Sequence, residues 1–399
     1  MLKGLGLLTQ RKVQEMKKLF LASAVSALFA APATVLAQAK PAPVPTLDKI
    51  LEASGISVSG YIDAMYTHSD RNQAAFTDRV FDQQNNSFGL HQFGLTVAKQ
   101  PKEGFGGLVN VTAGSDAQII HSFPEPSGTG AAGSASSMFD VTQAFLQYSR
   151  GPLTVIAGKF VTLQGSEVIW TPTNVNASHS ILFGAIPFTH TGVRATWALS
   201  DTVSLIAGVN NGWDQLTDSN KAKTAELGVT LNPIKPLTIT VSDYYGKETQ
   251  PFATLGAADG KRNSLNVVAS YTIIDPLTIG AEILSVSQDI PGAGGTTTKA
   301  KYNGAALYVS YMFMPKLRGV LRAESFDDKN GFKFAPAAFL TSDTKYKEVT
   351  ATVSFLASDS FELRAEGRRD QATNKVFTDY AGATSKTMTS IALQGLYKF

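Results

Sequence analysis

Cysteine is absent from this 399-residue chain, which leaves no disulfide framework, no thiolate metal site and no cysteine for a lipid anchor. Histidine is scarce as well. Only His68, His91, His121, His179 and His190 are present, scattered rather than spaced as ligands, so neither a metal nor any other cofactor is expected. Charged residues make up 17%, and no composition break or Pro/Ser-rich linker separates the two or three soluble domains that the length could hold. After residue 37 no apolar run approaches the roughly 20 residues of a spanning helix. A chain with these gaps can cross a membrane only as a closed barrel, where every backbone N–H and C=O is paired between strands.

What is present starts with a targeting segment. Lys17 and Lys18 precede the mostly apolar stretch Leu19 to Ala31, and Val35, Leu36 and Ala37 supply a small-residue cleavage site. Residues 1–37 therefore read as a signal peptide, with residues 1–15 an upstream extension; cleavage after Ala39 is the alternative. The segment carries five cations against Glu15 alone, so the rest of the chain has a net charge of −1 rather than +3, and the basic pI gives no argument for nucleic acid. Residues 38–55 form an N-terminal periplasmic segment of Ala-Pro repeats followed by a short amphipathic helix, capped by Thr46 and ended by Gly55. Docking at the periplasmic mouth and a tether both remain open for it.

From residue 56 to 399 the pattern is period-two alternation in sixteen segments. They lie near 56–68, 87–99, 105–115, 139–149, 153–160, 190–199, 203–212, 223–231, 237–246, 263–273, 277–287, 302–314, 317–326, 345–355, 361–370 and 387–399. Most have the about 9–11 residues that a tilted strand needs to cross a bilayer. Their connections alternate short and long. Turn formers fill 100–104, 150–152, 200–202, 232–236, 274–276, 315–316 and 357–360, whereas 116–138, 161–189 and 327–344 are long. This predicts an all-β transmembrane antiparallel barrel of about 16 strands, with short periplasmic turns and long extracellular loops.

Each strand presents two unlike faces. In 361–370, Phe361, Leu363 and Ala365 oppose Glu362, Arg364, Glu366, Arg368 and Asp370, a row that a dry core would reject and a wet lumen accepts. Tyr148, Trp197, Tyr271, Tyr311, Phe313, Phe355, Phe361, Tyr397 and Phe399 all lie beside short turns, as an interfacial girdle would. The last strand puts Ile391, Leu393, Gly395, Tyr397 and Phe399 on one parity and is expected to close the barrel.

Several stretches carry a family resemblance: Val58 to Asp63 in the first strand, Ala157 to Phe160 leading to Gly165, Ser166 and Glu167, then Asn174 with Asn176, Pro187 to Val193, and the terminal Tyr397, Lys398 and Phe399. In order and spacing the chain resembles the OmpL-like β-barrel porins. The resemblance implies an outer-membrane pore and does not name its solute.

Parity assigns Asp63, Glu226, Glu282, Glu324, Glu362 and Glu366 to the lumen, against Lys159, Arg194, Arg318, Arg322, Arg364, Arg368 and Lys398. This nearly neutral wall predicts a weakly selective, water-filled channel for small hydrophilic solutes or ions, since rings of one sign would select strongly. Arg322 and Arg364 should create a modestly positive segment, while many of the other charges pair across strands. Loop 161–189, with Glu167, Trp170, Asn174, Asn176 and His179, either folds inward as a constriction or stays outside. An adhesin or structural barrel is the alternative function. A hydrolase is disfavoured because no histidine has a Ser or carboxylate at a diagnostic spacing. Outer-membrane lipid is the expected surrounding, and a homotrimer or a monomer the expected assembly.

Overall fold

The computed structural model describes residues 46–71, 78–82, 84–123, 137–249, 259–334 and 342–399. The signal peptide over 1–37 lies outside the described residues, as do 38–45 and the middles of the loops at 116–138 and 327–344. Helix α1 (Leu47–Ser54) occupies the expected position, and Gly55, at φ 67°, ends it with an N–H bond to the Glu52 carbonyl.

Sixteen strands form one closed antiparallel barrel. They are β1 (Ser57–Ser69), β2 (Ser87–Lys99), β3 (Gly104–Ala113), β4 (Phe139–Arg150), β5 (Leu153–Val161), β6 (Thr189–Ser200), β7 (Val203–Asn210), β8 (Thr224–Ile234), β9 (Leu237–Thr249), β10 (Asp259–Ile274), β11 (Leu277–Pro291), β12 (Thr297–Met314), β13 (Leu317–Lys329), β14 (Thr344–Leu356), β15 (Phe361–Ala372) and β18 (Thr387–Lys398). The two-residue strands β16 (Phe377–Thr378) and β17 (Thr384–Ser385) pair with each other in the connection between β15 and β18. Every segment expected from alternation is a strand. The main departures are at the long-loop ends, where β10, β11 and β12 run on by several residues. The β11–β12 ladder pairs Pro291 with Thr297 across the tight turn Ala293–Gly295, so there the connection is itself a hairpin.

Closure follows from the last strand. β18 pairs with β15 on one side and with β1 on the other, and Phe399 and Gly60 exchange two backbone hydrogen bonds at 2.8 and 2.9 Å. Gly60 is required there, because a Cβ would collide with the Phe399 ring. A closed ring leaves no strand edge unpaired, which a lipid environment demands.

The alternation sorts the side chains by solvent. In β15 residues alternate exposed and buried without a break. Outward positions carry Phe88, Phe105, Leu146, Leu227, Ile283, Leu321 and Leu393, an apolar belt too extensive for a water-soluble surface and suited to acyl chains. Near the short turns the girdle rings touch: Phe105 and Tyr148 centroids are 4.8 Å apart, and those of Tyr311 and Phe313 5.0 Å.

The absence of native cysteine makes sidedness directly measurable. On intact cells a membrane-impermeant maleimide should label Ser219→Cys, in the long connection after β7, and leave Lys102→Cys, in a short turn, unlabelled. Labelling of both, or of Lys102→Cys alone, would reverse or abolish the expected sidedness.

Candidate functional site: a loop held inside the barrel

Segment 161–189 folds into the barrel; from Ser178 to His190 every residue is buried. It has almost no regular structure of its own, only short 3-10 turns at Thr171–Thr173 and Phe183–Ala185. Its peptide groups are thus removed from water without a ladder to receive them, and each such group needs a partner. The barrel wall supplies these partners according to charge.

Carboxylates take the N–H groups. Glu366 accepts from Ala177 and Ser178 at 2.7 and 3.0 Å, Glu324 from Ile181 and Leu182 at 3.0 and 3.2 Å, and Glu282 from Ser166 at 2.9 Å. Within the loop Glu167 accepts from Ser180 at 2.6 Å. Guanidinium groups take the carbonyls. Arg322 donates to Ser178 O at 2.7 Å, Arg364 to Asn174 O and Asn176 O at 2.7 and 2.9 Å, and Arg368 to His179 O at 2.6 Å. The apolar side of the loop, including Ile181, Leu182, Phe183 and Ile186, packs with Leu284, Val286, Tyr302, Tyr308 and Phe326 of β11–β13.

The charges also neutralise one another. Arg322 lies 2.8 Å from Glu167, 3.5 Å from Glu324 and 3.3 Å from Glu348. Arg318 and Arg364 share Glu362 at 2.6 and 2.8 Å, Arg368 meets Asp370 at 2.8 Å, and Arg194 is paired with Glu226. Lys159 binds Asp140 at 3.2 Å, and Asp63 accepts from Gln394 at 2.9 Å. Of the residues assigned to the lumen, Arg318 and the terminal Lys398 are half-buried and the others are buried. This corrects two expectations. Glu362, Arg364, Glu366 and Arg368 do not face open water, and Arg322 and Arg364 form no free positive segment, because the loop covers them and acids compensate them. Two further acids take part from the inward side of their strands, Glu348 with Arg322 and Arg368 and Asp140 with Lys159 and His121; alternation through 345–355 marks Glu348, whereas a bulge beside Asp140 obscures its register.

A second segment supports the first. Arg79 binds Asp82 at 2.8 Å and is also paired with Asp370, and Phe81, held at φ 71°, meets the His179 ring edge-on at 4.8 Å and Phe183 at 5.3 Å. Burial holds His179 below its ordinary pKa. The five histidines serve structural contacts: His91 pairs with Asp116, His121 with Asp140, His179 with Asn174, His190 with Gly212 O and His68 with Asn86. Among the described residues none is hydrogen-bonded to a serine hydroxyl.

Residues 55–399 match the family described as "Putative beta-barrel porin-2, OmpL-like". The chain belongs to that family. This porin is similar in structure to the outer-membrane channel DcaP of Acinetobacter baumannii, with 15% identity, a TM-score of 0.59, and coverage of 86% of this chain and 97% of that one. It is also similar to an anion-selective porin from Comamonas acidovorans (11%, TM-score 0.58, 86% and 99% covered) and to OmpT of Vibrio cholerae in a trimer form (12%, TM-score 0.56, 86% and 99%). No curated protein sequence matches it. Family and fold together make it an outer-membrane channel protein.

Two tests probe the loop's anchorage. Arg322→Ala removes the cation that three buried carboxylates share, leaving Glu348 only the more distant Arg368, and should cost about 3–5 kcal/mol, read as urea unfolding of the detergent-folded barrel; unchanged stability would remove Arg322 from its anchoring role. The second concerns Asp214, in the connection after β7, whose Oδ1 accepts the Phe188 and Thr189 N–H groups at 2.7 and 3.0 Å. Burial raises its pKa to about 6, so its ionised form is penalised above that pH and the penalty is relieved as pH falls through it. Asp214→Asn keeps the acceptor and tolerates the φ of 54°. The variant should be at least as stable as the parent at pH 7, with its advantage shrinking toward pH 5; a variant markedly weaker at pH 7 would contradict this.

Proposed function

We propose that this porin is a passive, weakly selective diffusion channel for small hydrophilic solutes or ions across the outer membrane. The observation that carries the reading is the asymmetric filling of the barrel. Loop 161–189 packs against β10–β15 and is hydrogen-bonded to that wall, whereas inward positions 204, 206 and 208 of β7 and 228 and 230 of β8 remain only half-covered. A loop fixed to one side narrows a wide barrel without filling it. The polar groups on the uncovered side support weak selectivity, because they are mainly hydroxyls and amides. Ser149 with Thr154 and Thr230 with Thr240 form hydroxyl pairs at 3.2 and 3.4 Å. Among the described residues no ring of one charge is arranged there to exclude an ion.

Assembly as a trimer is part of the same proposal, supported by the trimer form of the similar OmpT. Export by cleavage of residues 1–37 is too, supported by the charge and apolar pattern of that segment.

Planar-bilayer recording of the refolded chain tests the function. Discrete current steps with a small zero-current potential under a potassium chloride gradient are expected. A folded barrel that stays silent would favour the adhesin or structural reading, and a large potential of either sign would replace weak selectivity with ion selection.

A further inference from the structure

Between loop 161–189 and strands β1, β3, β4 and β5 lies a cavity of ≈ 390 Å³, within the roughly 300–1,000 Å³ of small-molecule sites. One β-bulge lies in its wall, and a second holds the Tyr61 side chain that lines it. In the β3–β4 ladder Asn110 pairs with Gln143 and Val111 with Val141, so Thr142 is the extra residue, and the consecutive side chains of Thr142 and Gln143 both line the cavity. In the β1–β2 ladder His91 is extra, between Gln92 opposite Asp63 and Leu90 opposite Ala64. His91 and Gln92 both engage Asp116, at 3.2 and 2.9 Å, and Gln92 receives the Tyr61 hydroxyl. The Tyr61 ring lies over Gly94, where any Cβ would displace it. Bulges of this kind re-aim side chains beside functional sites.

The lining is aromatic and uncharged in effect. Trp170 is half-buried and meets Tyr61 at 4.5 Å with the rings 61° apart. Glu167 is the one charged residue of the lining, and both its oxygens are engaged, one by Arg322 and one by Ser180 N–H. Among the described residues Asn110 Oδ1 and Gln143 Nε2 have no protein partner, although Asn110 Nδ2 is held by Thr96 at 2.9 Å and Gln143 Oε1 by Val161 N–H at 3.3 Å. An ion would meet no counter-charge here, and a wholly apolar solute would leave the amides unsolvated, which is costly. A solute with C–H faces and hydroxyl edges satisfies both surfaces.

We propose that this cavity is a binding subsite for a neutral polyhydroxylated solute of mono- to disaccharide size, stacked on Trp170 and hydrogen-bonded by Asn110 and Gln143. The proposal rests on the channel reading above and gives that channel a solute class.

Sucrose and maltose, added to open channels in a planar bilayer, should reduce the current saturably and by more than their viscosity does. Trp170→Ala should raise the half-blocking concentration roughly ten-fold, and Trp170→Phe, which keeps a stacking face, should largely retain the block. Gln143→Met should weaken it through the opposite wall, which keeps the test decisive if Trp170→Ala does not fold. Conducting channels that neither sugar blocks saturably, or whose block is unchanged in the folded variants, overturn the subsite and leave the channel standing. A silent folded barrel overturns the channel. Sugar titration of the tryptophan fluorescence of the same detergent-folded protein then decides the subsite, and no saturable change overturns it.

Discussion

A peptide group that is neither on the sheet nor in water must find a partner or cost about 1–3 kcal/mol, and loop 161–189 carries a long series of them into the barrel. The interior is organised around that demand. An ionised carboxylate can only accept and a guanidinium can only donate, so the wall needs acids where the loop presents N–H and arginines where it presents C=O. Glu324 and Glu366 serve the first need, Arg364 and Arg368 the second, and Arg322 joins both sets by contacting Ser178 O and three carboxylates. The near-neutral mixture of charges on the wall is thus the signature of a solvated loop more than of a permeation filter. It also explains why the apolar contacts of Ile181 and Leu182 can form at all, since the adjoining backbone is already satisfied.

The same reasoning applied outward accounts for the barrel itself. Strands of 8 to 18 residues, each paired on both sides, leave no open backbone toward the lipid, and the terminal Phe399 takes part in the seam that joins β18 to β1. Aromatic rings beside the turns and aliphatic side chains between them follow the depth profile of a bilayer. The turn chemistry is repetitive for the same reason: Gly151-Pro152, Lys235-Pro236 and Asp275-Pro276 each end one strand and start the next with little chain spent.

Strands, turns and girdle were legible in the sequence because each depends on local periodicity. The charged rows were legible as inward-facing for the same reason, down to Arg368. Their environment was not. Whether Arg322 faces water or the carbonyl of Ser178 depends on a contact between residues 144 positions apart, and nothing in the alternation around Arg322 encodes it. The loop itself gave only half the signal: Glu167, Asn174 and His179 suggested a lining, but its apolar run from Ile181 to Phe188 was the better indication that it is buried. Thr142 and Gln143 were hidden for a different reason, since a bulge breaks the parity rule from which their orientation would be read.

The dependence of wall and loop on each other has a consequence for assembly. In a sheet with a period of two, sliding one strand by a single residue turns every side chain to the opposite face. Applied to β13 or β15, that slip would expel Arg322, Glu324, Arg364 and Glu366 into hydrocarbon, at about 2–4 kcal/mol for each arginine near the midplane, and would strand the loop without acceptors or donors. Only the correct pairing of several strands at once offers the loop a complete set of partners. The contacts of residues 161–189 therefore favour the native register of a ladder whose backbone hydrogen bonds alone would accept neighbouring ones.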